Sequence, residues 1–178
     1  PNDTNVEAKT AKLWLFAERD DPLRHFSSLA KVYWSYAYAL RFWKNTGANR
    51  QHLRTSSKDL ISDEIQDGKR SCIIRTQKFV YADEYNSLTK KAQISPSSPL
   101  LTFNPFIDSK GRLVQSPALT YSERHPTILP HGAKLSKLLV EFTHKVTLHG
   151  GNQLMTRVLR SEFWIFGLKS LIKQTIRK

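Results

Sequence analysis

His144 and His149, in the run HKVTLHGG over 144–151, are two imidazoles with four residues between them, placed where a helical pattern meets a Gly-Gly pair. That spacing suits two ligands of one metal ion, because neutral imidazole binds zinc well. It also suits histidines that only interact with the negative end of a helix. A closed structural zinc site needs four ligands, and the chain has one cysteine, Cys72, far upstream. The pair reads as half of a His-His-Cys-Cys site without its thiolates, so zinc is expected to bind weakly or not at all.

The second chemical feature is positive charge. The chain has 28 Lys and Arg against 15 Asp and Glu, a formal net charge of +13 and a pI of about 10.0. From Arg112 onward eleven basic residues face three acidic ones, a net +8, while the first 111 residues net +5. Clustered cations gain free energy by releasing counterions from phosphates, so the expected partner is nucleic acid, bound as nonspecific DNA. Arg157 and Arg160 on one expected helix, and Lys169, Lys173 and Arg177 at intervals of four on the next, are the candidates for phosphate contact. They would position a strand without reading its sequence. Self-association is a further expectation, and neither a membrane nor a small-molecule substrate is expected.

Carboxylates that activate water on divalent metal must converge, and here they do not. Asp59, Asp63, Glu64 and Asp67 fall on one expected helix face, the pattern of a solvated surface. Asp108 precedes a turn and reads as a turn former. There is no Gly-rich phosphate loop and no G-x-S-x-G, and Cys72 has no histidine near it in sequence. No catalytic residue is expected. A single cysteine excludes an intrachain disulfide and fits a reducing compartment, cytoplasm or nucleus. No apolar run is long enough to span a bilayer.

These groups must be positioned by a mainly α chain. Leu29, Val32, Tyr33, Tyr36, Leu40 and Trp43 recur at helical spacing and predict a helix over 28–43, stopped at Asn45, Thr46 and Gly47. Ser57 can cap a second helix running toward Phe79, interrupted near Gly68, and a further piece covers 83–92. SPSSP at 95–99 cannot continue a helix and sets a boundary. Two extended runs around Ser109, Lys110 and Gly111 predict a small β-hairpin, and the HPTILP run over 125–130 an extended connector.

Three helices follow. The first, over 133–148, is expected to bury Leu135, Leu138, Leu139, Phe142 and Val146, to stop at Gly150 and Gly151, and to hand over to Asn152 as the next cap. The second, over 153–163, buries Leu154, Met155, Val158, Leu159 and Phe163; the third starts near Gly167 and buries Leu168, Leu171, Ile172 and Ile176. The organisation is thus a helical linker region over 1–94, hairpin and connector over 95–131, and a three-helix segment over 132–178.

The order LTFNPFIDSKGRL (101–113), ERHPTILP (123–130), a leucine-rich helix ending in H-x4-HGG, and LRSEFWI (159–165) resembles the polyprotein of Pao/BEL-type long-terminal-repeat retrotransposons. There it lies at the junction between the reverse transcriptase and RNase H part and integrase. The resemblance covers 101–178 best and 26–91 more loosely. It implies a non-catalytic polyprotein fragment carrying the zinc-binding N-terminal domain of integrase, which assists multimerisation and binding of the element's DNA ends. It also implies that His144 and His149 are completed by a Cys-x-x-Cys after the basic segment 172–178, so that the complete domain would hold zinc. The run DSKGRLVQSP is shorter than the family's glycine-containing run, which implies a divergent copy. An initial Pro1 fits a fragment or processed product. Two other readings stay open: a relic or host-adopted interaction module whose aromatic helix, 33–43, docks a protein, and an enzyme fragment dependent on domains outside this chain.

Overall fold

The computed structural model describes residues 21, 23–46, 58–115 and 125–177. Among them lie α1 (Leu29–Thr46), α2 (Ser62–Val80), α3 (Ala82–Thr89), β1 (Pro105–Ile107), β2 (Leu113–Gln115), β3 (Thr127–Leu129), α4 (Lys134–Val146), α5 (Asn152–Arg160), β4 (Phe163–Ile165) and α6 (Leu168–Ile176). The described chain is therefore mainly α with one small four-stranded sheet. It forms two compact units that divide between Arg75 and Thr76, inside α2.

In the first unit α1 buries Leu29, Val32, Tyr36 and Ala37, the apolar stripe expected from periodicity. Trp34 and Tyr38 stay half exposed and Phe42 is also exposed, an i, i+4, i+8 ladder on another face. The expected interruption at Gly68 is absent, and α2 runs straight through it. A Cβ at Gly68 would stand 2.5 Å from the Tyr33 carbonyl oxygen and 2.8 Å from the Ala37 nitrogen. The glycine permits close approach of α1, and that packing outweighs its poor helix propensity.

Ser57, the expected cap of α2, lies outside the described residues, and Glu64 does part of that work. Its Oε2 accepts from the Ile61 backbone N–H at 3.0 Å, the reach-back half of a capping box. The same carboxylate receives the Arg41 guanidinium, Nε donating to Oε1 at 2.7 Å and Nη2 to Oε2, while Nη2 also donates to the Asp59 carbonyl at 2.7 Å. Arg41 and Glu64 are both buried, so the acidic face expected to be solvated contains a buried ion pair. Asp67 pairs with Lys44 at 3.1 Å and with Arg70 at 3.2 Å.

The hydrogen bonds from Arg41 hold the Glu64 carboxyl below its ordinary range. A carboxylate depressed in the folded state contributes stability that is complete above its unfolded value, about 4.3, and is lost as pH falls through the folded value. Thermal unfolding followed from pH 7 to pH 3 should therefore show a declining Tm at the acid end, and Glu64→Gln should lower Tm at pH 7 while flattening that decline. An acid limb of unchanged slope in Glu64→Gln would remove the pair from the account.

In the second unit the strand order is β1-β2-β3-β4. The expected hairpin is present, β1 antiparallel to β2 with Phe106 opposite Val114. Asp108 forms its turn, as expected: Oδ1 accepts from the Lys110 and Arg112 backbone N–H groups, and Oδ2 from the Arg112 guanidinium. The other half of the sheet corrects the sequence expectation. The connector contains β3, antiparallel to β2 and buried at all three residues, and FWI forms β4, parallel to β3 with Ile128 opposite Trp164. The second of the three helices accordingly ends at Arg160 and not at Phe163. Phe163 and Ile165 are buried while Trp164 between them is less so, an alternation that suits a strand.

Tyr81, Leu100, Leu113 and Ile128 form a core against which Leu88, Ile107, Trp164 and Phe166 pack. The stretch 95–99, expected as a boundary, lies within this unit, where the Ser98 hydroxyl donates to Glu84 at 2.6 Å. Helices α4, α5 and α6 contact one another and bury Leu135, Leu138, Leu139, Met155, Leu159, Leu168, Leu171 and Ile172. Phe142, Val146, Leu154, Val158 and Ile176, expected inside, are exposed, because three short helices cover a narrower stripe than their apolar residues span. The end of α4 also departs from expectation. Leu148 and His149, not the glycines, take left-handed backbone at φ 49° and 63°. Gly150 lies where a Cβ would meet the Thr147 side chain at 2.7 Å, and Gly151, not Asn152, occupies the cap position of α5.

Candidate nucleic-acid interface

Helix α5 divides its residues three ways. Met155 and Leu159 face the core, Leu154 and Val158 are exposed, and Gln153, Thr156, Arg157 and Arg160 follow the i, i+3, i+4, i+7 spacing of a single polar face. On α6, Leu168, Leu171 and Ile172 are buried, leaving Lys169 and Lys173 exposed one turn apart. The two polar faces line one concavity of about 740 Å³, completed by Asn152 and Ser161. Four of the five cations expected to contact phosphate thus meet in one place. Arg177 does not join them and sits at the C-terminal end of α6.

No carboxylate lines the concavity, and among the described residues Arg157, Arg160, Lys169 and Lys173 make no ion pair. Four like charges held together without counter-charge repel one another, and a bound anion relieves that repulsion. Arg160 is the most constrained: its guanidinium lies 5.4 Å from the Trp164 ring centre, and Trp164 in turn packs against Phe103 at 5.5 Å. Cation–π contact of this kind restricts the guanidinium without neutralising it. Thr156 and Ser161 donate their hydroxyls to the Asn152 and Val158 carbonyls at 2.7 Å, leaving oxygen lone pairs and the Asn152 and Gln153 amides as neutral lining. The neutral members Gln153 and Thr156 escaped the sequence analysis, although their helical spacing from Arg157 and Arg160 is the signal that identifies them.

The structure brings His144 and His149 together. His144 Nε2 and His149 Nδ1 are 2.9 Å apart, and the rings meet edge to face with centres 4.6 Å apart. A contact of that length needs one N–H and one lone pair. His144 Nδ1 is buried without a hydrogen-bond partner, so the less costly tautomer leaves it bare and places the proton on Nε2, donating to His149. Two ligand nitrogens on tetrahedral zinc stand about 3.3 Å apart for Zn–N bonds of about 2.0–2.1 Å, whereas these two, at 2.9 Å, face each other as donor and acceptor. The remaining ligands do not follow: no group of three or more His, Cys, Asp or Glu able to hold a metal occurs among the described residues. A ligating His144 would also need a proton on its buried Nδ1, where the usual outer acceptor is missing. Cys72 is buried in the first unit, and burial pushes its thiol up, away from the thiolate that binds metal.

No helix among the described residues is long and apolar enough to cross a membrane. Comparison with protein-family models, with curated proteins and with solved structures gives no match.

Proposed function

We propose that this chain is a non-catalytic segment that binds the phosphates of nucleic acid through the α5–α6 concavity, in the setting of a Pao/BEL-type polyprotein and its integrase N-terminal region. The observation that supports it is the meeting of Arg157, Arg160, Lys169 and Lys173 in one concavity free of carboxylates. Binding by such a site is electrostatic and sequence-independent. If all four cations neutralise phosphates of a B-form duplex, log affinity should fall with log salt at a slope of about −3.6, from about 0.9 per phosphate. Anisotropy titrations at several salt concentrations measure this, and the double variant Arg157→Gln, Lys169→Gln should make the slope shallower by about 1.8. An affinity indifferent to salt, or a slope unmoved in the double variant, would overturn the proposal.

His144 Nε2 and His149 Nδ1 are the nitrogens that would hold zinc in this setting, and in a complete site the ion would supply folding free energy by clamping α4 to the chain beyond α6. In this chain zinc titrated by calorimetry should bind weakly, since half the ligands of a closed site are present. Tight one-to-one binding abolished by His144→Ala would contradict that. A second reading, a protein-interaction module, is favoured by the exposed Trp34, Tyr38 and Phe42 ladder on α1.

A further inference from the structure

We infer that the α5–α6 concavity prefers a phosphomonoester, the doubly charged terminal phosphate of a strand, over the singly charged phosphates along its interior. This rests on the proposed function and narrows its ligand. The direction of the charges carries the argument. Arg157 and Arg160 enter from α5, and Lys169 and Lys173 from α6, so the cations approach one space from two helices in place of tracking along a groove. A phosphomonoester carries about −1.5 to −2 charges at neutral pH and three acceptor oxygens, which matches converging donors better than one diester charge does.

Arg160 supplies the geometric selectivity. Held on Trp164, its planar fork is already oriented and can meet two phosphate oxygens at once. The Asn152 and Gln153 amides can serve the third oxygen without adding charge. The same chemistry could arrive as the end of a strand or as a free nucleotide, and the two are separable by experiment.

The test uses the full chain and three single-stranded oligonucleotides of one sequence, bearing a 5′-phosphate, a 3′-phosphate or hydroxyls at both ends, with a nucleoside monophosphate as free ligand and competitor. Binding is read by anisotropy near 0.15 M salt. At least one phosphorylated strand should bind about tenfold more tightly than the unphosphorylated one, the worth of one charge-assisted hydrogen bond. Arg160→Gln should erase that preference while circular dichroism shows the fold intact; Lys169→Gln, on an exposed position, serves the same purpose if Arg160→Gln does not fold. Equal binding of all three strands, with salt dependence preserved, would overturn the phosphomonoester subsite and leave nucleic-acid binding standing. Binding of the free monophosphate without binding of any strand would support the subsite and overturn the nucleic-acid reading. Binding of none of them would overturn both.

Discussion

Gln77→Leu is expected to cost the second unit about 3 to 5 kcal/mol, since each buried polar group left unsatisfied costs about 1–3 kcal/mol. Gln77 is fully buried at the end of α2. Its Nε2 donates to the Leu113 carbonyl at 2.7 Å and to the Ile128 carbonyl at 2.8 Å, and its Oε1 accepts from the Leu113 N–H at 2.8 Å. One side chain thus joins β2 to β3, where the strands themselves pair at Val114 and Thr127. Leucine preserves much of the volume and none of the polarity, leaving two carbonyls and one N–H in an apolar core. Urea unfolding should show a lower midpoint, and amide exchange at Leu113 should accelerate. A loss below about 1 kcal/mol would mean that water or a backbone shift replaces the amide.

Gln77 also shows where sequence reasoning stops. A glutamine within an amphipathic helix looks like any surface glutamine, and only the arrival of Leu113 and Ile128, 36 and 51 residues away, makes it structural. Strands β3 and β4 were hidden for the same reason. Three residues carry no usable period, and the pairing of Thr127 with Phe163 is set by the return of the chain through α4 and α5. The helices were legible because their apolar residues repeat at 3.6, and the hairpin was legible because Asp108 and Gly111 announce a turn.

The candidate site was half legible. Charge and helical spacing identified Arg157 and Arg160, three residues apart, and Lys169 and Lys173, four apart, since both properties are local to a helix. That the two helices would share one concavity, that Arg160 would rest on Trp164, and that Arg177 would stand apart are consequences of packing. The histidine pair divides similarly. Its spacing allowed two rings to meet, but the left-handed backbone that folds His149 back toward His144 begins at Leu148, a residue type that seldom adopts it.

Gly68 carries the other large expected effect. In a solvent-facing helix Gly→Ala stabilises by roughly 1 kcal/mol, because alanine loses less backbone freedom on folding. Here the sign should reverse. The added methyl would stand 2.5 Å from the Tyr33 carbonyl oxygen and 2.8 Å from the Ala37 nitrogen, both backbone atoms of α1 that cannot swing aside as a flexible side chain would. Relief requires α1 and α2 to separate, which loosens the contacts around buried Val32, Tyr36 and Ala37. Overpacking of this kind costs about 1–3 kcal/mol for small additions and more for larger ones. Gly68→Ala should therefore lose about 1–2 kcal/mol net of the propensity gain, and Gly68→Leu should lose about 3 kcal/mol or more. The two variants together discriminate between explanations, since propensity alone would make both more stable than the parent. Thermal unfolding of the three proteins gives the order directly, and a higher Tm for Gly68→Ala would show that α1 and α2 do not approach as closely as Gly68 permits.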